Sequence, residues 1–379
     1  MRLTTASVTS SVGNVHIHSL QRVVELDSGS TTPVDDGSSN NTRRDDGTVS
    51  VSTEDLRAIE AQLVIVVPCM NEDISTIEGV LSSIPHRCLI ILVSNSSTEG
   101  ARDEVDLLQH FCKTTGRSAV AIHQRDPGAA AALKQAGLPE LLDDAGLIRN
   151  GKGEAMLLGL VLAATTTRKY IGFIDADNFV PGSVHEYCKV FAAGLHLASQ
   201  QSDDVMVRIS WASKPKVQDG QLIFGQQGRS SRIVNSWLNR LLVMLQTGDD
   251  SPSNGTDEHL VKGIATGNAG EHAMSISLAL KLRLASGYAI EPFHFLDVFE
   301  QFGSSMSSPE NNSSVHIYQI QTRNPHLHDA KDDKHIERMW AVALSHICHS
   351  HVSMPAGCSS SYRTAVARFM VDQGVLRPG

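Results

Sequence analysis

The chain has 379 residues, with 32 basic and 41 acidic side chains and a formal net charge of -9. Its length supports a large core and up to two domains, and 41% hydrophobic with 19% charged residues is ordinary globular composition, which excludes a wholly disordered chain. The acidic balance argues against nucleic acid as a partner, because nucleic-acid binding needs a basic footprint; a local basic pocket for a small phosphorylated ligand stays open.

In chain order, residues 15–26 (VHIHSLQRVVEL) read as structured, and residues 28–52, rich in Ser, Thr, Asp and Gly, as an exposed, mobile insert. LVIVVPCMNE (63–72) is a buried strand ending in a loop. A short helix over 73–84 follows, with Asp73 or Ser75 as N-cap. CLIILVSNSS (88–97) is a second strand, and 98–115 an amphipathic helix with Leu107, Leu108, Phe111 and Cys112 on one face. SAVAIHQRDPG is a third strand and turn, GKGEAMLLGLVLAATTT a Gly-rich turn and helix, and KYIGFIDADNF a fourth strand. Near-continuous apolar strands alternating with helices predict a parallel sheet, with ligands bound at the strands' carboxyl ends. Pro68, Asn71 and Glu72, then Ser94 to Ser96, Gln124 with Asp126, and Asp175 with Asp177 should therefore converge. Beyond these, we expect a helix over 184–199, a strand in MVRISWAS, a long helix over 230–246, and a loop TGNAGEH leading into a helix. A strand VHIYQIQTR and a helix over 334–350 complete the pattern.

This divides the chain into an N-terminal segment (1–60), a core of alternating strands and helices (61–200), a following region (201–350) and a tail (351–379). Six scattered cysteines without C-x-x-C read as reduced thiols of a cytoplasmic protein. No apolar leader opens the chain and no run approaches the ~18 apolar residues of a membrane span, so no membrane partner is expected.

Five groups of residues carry chemistry. Asp175-Ala176-Asp177 closes a strand, where carboxylates two apart share one side and can hold a divalent cation with phosphate oxygens; two acids at a solvated strand end look the same. Arg149-Asn150-Gly151-Lys152-Gly153-Glu154 opens a helix, whose free amides and lysine suit a diphosphate. Thr266-Gly267-Asn268-Ala269-Gly270 precedes Glu271 and His272 and is expected to form a second anion-ready helix start; Glu271 could equally complement a helix dipole, and His272 could be an ordinary half-buried histidine. Arg208, with Lys214 and Lys216, could attract a phosphorylated acceptor, or form a solvated basic edge. His326 and His328 lie directly after a strand, where a neutral imidazole can complete a metal site.

PCMNE, VSNSS, EVDLLQHF, HQRDPG, RNGKGEA, GFIDADNFVPG, MVRISWASKPKV, TGNAGEHAMS, SGYAIEPF and QTRNPHLHD occur in this order. In this the chain resembles the mannosyl-3-phosphoglycerate synthases, from VHIHSLQRVVELD to the helix holding Arg338, Met339 and Trp340. The departures are the 28–52 insert, Cys69-Met70 and the tail after about 350. The resemblance implies a retaining glycosyltransferase with a GT-A core and a C-terminal acceptor-side subregion. It implies GDP-mannose and 3-phosphoglycerate as substrates, and Mg²⁺, or another divalent cation such as Mn²⁺, as cofactor. By motif, Pro68, Asn71 and Glu72 grip the nucleoside, with Ser94 and Gln124 beside them. Lys152 meets the diphosphate, and Asp175 and Asp177 hold the metal with His326 or His328. Asp177, Lys152 and Glu271 would serve catalysis, and Arg208 with the 266–270 loop the acceptor. A homodimer is compatible with the family.

Overall fold

The structure, a computed structural model, describes residues 1–27, 43–44, 47–218, 221–223, 229–248, 263–303, 313–329, 333–353 and 361–373. The N-terminal part supplies β1 (Arg2–Thr4), β2 (Thr9–Val12), β3 (Val15–His18), β4 (Gln21–Glu25), β5 (Arg43–Arg44), β6 (Thr48–Ser50) and α1 (Thr53–Glu60). Next come β7 (Leu63–Cys69), α2 (Ile74–Ser83), β8 (Leu89–Ser94), α3 (Thr98–Thr115), β9 (Ala119–His123), α4 (Pro127–Gln135), α5 (Lys152–Ala164), β10 (Tyr170–Phe173) and α6 (Pro181–Ser199). The remainder holds β11 (Asp204–Trp211), β12 (Lys216–Gln218), β13 (Gln221–Ile223), α7 (Arg229–Thr247), β14 (His272–Ser275), α8 (Ile276–Lys281), α9 (Ile290–Phe302), β15 (Val315–Thr322), β16 (His328–Asp329), α10 (Asp333–His349) and α11 (Ser361–Asp372).

The sheet reads β5-β6-β1-β4-β15-β11-β14-β10-β7-β8-β9. β10, β7, β8 and β9 run parallel, as do β11 and β15. Alternation along β7 sorts its side chains between two cores. Val64 and Val66 join the core that holds Met156 of α5, Val234 of α7 and Phe295 of α9. Leu63, Ile65 and Val67 join the core of α1, α2, α3 and α6. Burial on both faces explains why these strands read as apolar runs.

The expected helix starts are set by capping side chains. Asp73 accepts from the Ser75 amide at α2, Ser97 from Gly100 at α3, and Asp126 from Ala129 at α4. Asp126 is thus a cap. α3 stops at Gly116, whose φ of 63° is left-handed.

Two expectations need correction. The loop from Thr266 leads into β14, antiparallel to both β10 and β11, and only then into the short α8. Thr266 to Gly270 therefore does not form a helix N-terminus. The end of the 28–52 insert is also ordered into the sheet, where β6 pairs with β1; most of the insert lies outside the described residues. Strands from 1–60, 61–200 and 201–350 share this one sheet.

Candidate active site

The carboxyl ends of β7, β8, β9 and β10 lie side by side, so the loops that follow them meet. Asn71 has φ of 62°, a left-handed conformation unusual outside glycine. Its amide donates to Ser96 Oγ at 2.7 Å, and its Oδ1 accepts from the Ser97 amide at 3.2 Å. Ser96 in turn donates to the buried Glu104 carboxylate, and the Met70 amide donates to Glu72. These bonds lock the loops around Pro68, Asn71 and Glu72. Ser94 is buried at the end of β8, with its Oγ accepting from the Ser96 amide at 3.3 Å. Gln124 is fully buried and donates to the carbonyls of Arg149 (2.6 Å) and Gly151 (3.1 Å). Its amide nitrogen thus braces the turn before Lys152.

Lys152 opens α5, and its Nζ lies 2.7 Å from Asp175 Oδ1 and 2.9 Å from Glu291 Oε1. Burial alone would depress its pKa, but Asp175 and Glu291 outweigh it and hold the ammonium well above its usual range. Burial pushes Asp175 up, and Lys152 more than offsets this, leaving it below the usual carboxylate range. Gly270 makes the close approach possible: a Cβ there would stand 2.7 Å from Asp175 Oδ2 and 3.0 Å from Lys152 Nζ. Gly153 likewise lets α5 press on the backbone of Ala285, which a Cβ would meet at 2.1 Å.

Glu271 is fully buried beside this pair, and neither of its oxygens has a hydrogen-bond partner among the described residues. Burial, then repulsion from Asp175, pushes it up to about 8. Asp177, half-buried, bears electrostatically on Glu72, Glu271 and Lys214. Burial lowers Lys214, whose Nζ sits 4.1 Å from the Trp211 ring centre. Trp211 also stacks on His326 at 4.5 Å. His326 Nδ1 lies 3.1 Å from Tyr187 Oη and 3.7 Å from Glu271 Oε1, and His328 lies within electrostatic reach of Asp175. Asp175, Asp177, Glu271 and Glu291 thus crowd around Lys152 and Lys214, with Glu72 near the two aspartates. This negative surplus and the orphaned Glu271 oxygens fit a divalent cation. Among the described residues no three His, Cys, Asp or Glu side chains form a ready-made cage, so Asp175, Asp177, His326 and His328 are not preassembled. Such a sparse set suits a cation that takes part of its shell from phosphate oxygens and water.

Arg208 is not at the edge expected of an acceptor clamp. It is fully buried in β11, with Nε donating to Thr266 O and Nη2 to Glu291 O, both at 3.0 Å. The Thr266 to Gly270 loop lies over this arginine, with Thr266, Asn268 and Ala269 buried; the Gly267 amide donates to Asn235. The side chain of Lys216 lies outside the described residues. Sequence reasoning gave no role to Glu291, Trp211, Tyr187 or Glu104. The one signal for Glu291 is its place in SGYAIEPF, in the first turn of α9.

Comparison with known proteins defines the class: the chain is a glycosyltransferase. It belongs to the mannosyl-3-phosphoglycerate synthase family, whose description matches residues 5–379, including the tail that had seemed to depart from it. It is 37% identical over 378 residues to the mannosyl-3-phosphoglycerate synthase of Pyrococcus furiosus, covering 97% of this chain and 88% of that protein. The synthase of Aeropyrum pernix is 31% identical over 350 residues, covering 90% and 83%. A solved structure of glucosyl-3-phosphoglycerate synthase from Mycobacterium tuberculosis, in complex with Mn²⁺, UDP-glucose and phosphoglyceric acid, is 20% identical with a TM-score of 0.49, covering 81% of this chain and 86% of that one. No helix among the described residues is long and apolar enough to cross a membrane.

Proposed function

We propose that this site transfers a mannosyl group from GDP-mannose to the 2-hydroxyl of 3-phosphoglycerate, with retention, giving mannosyl-3-phosphoglycerate and GDP. Family membership supports the two substrates. The observation that carries the reading is the Lys152 ammonium at the start of α5, held between Asp175 and Glu291 at the carboxyl end of the sheet. Helix-start amides and a fixed ammonium suit a diphosphate.

Asp175 and Asp177 would hold a divalent cation, taken as Mg²⁺ with Mn²⁺ as substitute. His326 or His328 would complete the set as a neutral imidazole. The cation supplies neutralising charge at the departing diphosphate. Lys152 adds its own charge there, and Pro68, Asn71 and Glu72 seat the nucleoside. In front-face attack, the C1–phosphate oxygen bond breaks as the acceptor oxygen bonds C1, and the leaving diphosphate takes the acceptor proton. A double displacement through a covalent intermediate would instead need a carboxylate on the opposite face of the sugar, for which Glu271 is the candidate. We place the enzyme in the cytoplasm, as a homodimer.

The test offers purified protein GDP-mannose or UDP-glucose, with 3-phosphoglycerate or glycerate, and reads product and anomeric configuration by NMR. Retained mannosyl transfer to 3-phosphoglycerate alone is expected. Preferred use of UDP-glucose would make it a glucosyl enzyme, and turnover of neither donor would defeat the reading.

A further inference from the structure

A buried polar row crosses the sheet beneath the site. Arg208 on β11 stands in register with His272 on β14 and with Gln319 on β15, and all three are fully buried. Residues paired across neighbouring strands present their side chains to the same face, so the row is continuous.

Its hydrogen bonds converge on the segment that leads into Glu271. Gln319 Oε1 accepts from the Ala265 amide (2.7 Å) and Thr266 Oγ1 (2.9 Å), and its Nε2 donates to Gly263 O (2.6 Å). Arg208 Nε donates to Thr266 O, and His272 Nδ1 bonds Gly270 O at 3.0 Å. Arg208 also hydrogen-bonds the other wall, its Nη2 donating to the carbonyl of Glu291, whereas His272 meets α9 through a ring contact with His294. One planar guanidinium therefore ties the 263–271 segment to the first turn of α9.

Lys152 is held between those two segments. Glu291 contacts its Nζ at 2.9 Å, and Gly270 passes so near that a Cβ would stand 3.0 Å from the same atom. A shift of either wall moves the ammonium. The guanidinium makes no ion pair with a carboxylate side chain among the described residues; backbone carbonyls and the Phe295 ring, 4.8 Å from Cζ, compensate it. Burying a cation on such terms is costly, and an apolar side chain would fill the space at less cost. The fork geometry of arginine is what can bond two carbonyls at once.

We propose that Arg208 is a positioning residue: by bridging the Thr266 and Glu291 carbonyls, it sets the gap in which Lys152 is held, without touching substrate. The kinetic consequence rests on the reading of Lys152 as the diphosphate-binding group. Arg208→Lys keeps the charge but lacks the fork. Hydrogen exchange read by mass spectrometry should rise in both the 263–271 and 287–293 segments. The kcat should fall about 30- to 100-fold, with the KM values for GDP-mannose and 3-phosphoglycerate within about threefold of wild type. Gln319→Leu should raise exchange in 263–271 only and lower kcat by about tenfold.

Exchange rising in neither segment or in only one in the arginine variant overturns the bridge. A raised KM for 3-phosphoglycerate with kcat intact would return Arg208 to the acceptor site. Should Arg208→Lys fail to fold, a Gln319→Leu protein with an opened 263–271 segment and wild-type kcat refutes the link between wall and ammonium. If the wild-type protein turns over neither substrate pair, the assigned reaction fails, while the exchange pattern still decides the bridge.

Discussion

Gly270→Ala tests the site with one added methyl group. The backbone is outside the left-handed region, so alanine introduces no conformational strain there. The new Cβ would stand 2.7 Å from Asp175 Oδ2, where ordinary van der Waals contact begins at 3.4 Å. The carboxylate must retreat by about 0.7 Å, yet its other oxygen is bonded to Lys152 at 2.7 Å. The two move together or separate. Overpacking of this kind costs about 1–3 kcal/mol of stability. Misplacing catalytic groups by ~1 Å costs about 100-fold in rate. We therefore expect kcat for mannosyl transfer to fall roughly 30- to 100-fold, with a folded protein of lower urea midpoint. Gly182→Ala, in the first turn of α6, is the control, because an added Cβ there meets nothing within 4 Å. It should keep wild-type activity and gain up to about 1 kcal/mol. A Gly270→Ala enzyme with wild-type kcat would refute the claim that the Asp175–Lys152 geometry controls the rate.

Asp177→Ala should cut turnover at least ~100-fold, as for loss of a charge-stabilising element; near-normal rates, in the variant or in wild type with EDTA, would remove the cation role. Glu186, fully buried on α6, accepts from the amides of Arg323 (2.7 Å) and Asn324 (2.9 Å), just before His326 and His328. Glu186→Gln should cost about 1–3 kcal/mol and weaken cation binding, measured calorimetrically, by about tenfold or more; unchanged affinity would detach this clamp from the metal site. His16, His18 and His316 line up on β3 and β15, with His18 Nε2 3.0 Å from His316 Nδ1, and with Thr9, Ser11 and Tyr318 around them. Burial first, and neighbouring imidazoles second, lower His18 and His316 from an ordinary 6.5 to about 4. The unfolded chain then binds more protons between those values, so stability is full above pH 6.5 and falls as pH drops toward 4. The melting temperature should track this window and flatten in a His18→Gln/His316→Gln double variant; an unchanged profile would show that the row does not titrate on unfolding.

How much could be read from the sequence depended on whether the deciding contact was local. β7, β8 and β10 announce themselves because strands buried on both faces carry unbroken apolar runs, and Asp73, Ser97 and Asp126 cap their helices from within the next few residues. Asp175 and Lys152 were legible for the same reason: each follows or opens an element whose end is written beside it. TGNAGEH misled because glycines before an acid also describe a helix start; the residues that make HAMS a strand are β10 and β11, which flank it on both sides. Arg208 misled in the opposite sense, since an arginine in a strand with Lys214 and Lys216 close behind it reads as part of a basic edge until its two carbonyl partners are known. Glu291 was silent because an acid in a helix's first turn needs no partner to be explained, and its ion pair with Lys152 joins segments far apart in the chain. The sites that sequence alone misassigned are thus the ones where β14 enters the sheet antiparallel, bringing Gly270 and Glu271 against Lys152 from the opposite direction. The parallel half of the sheet presents Lys152, the lysine proposed to meet the diphosphate, and the inserted antiparallel strand supplies the wall that fixes it, which is why neither half of the chain read alone contains the site.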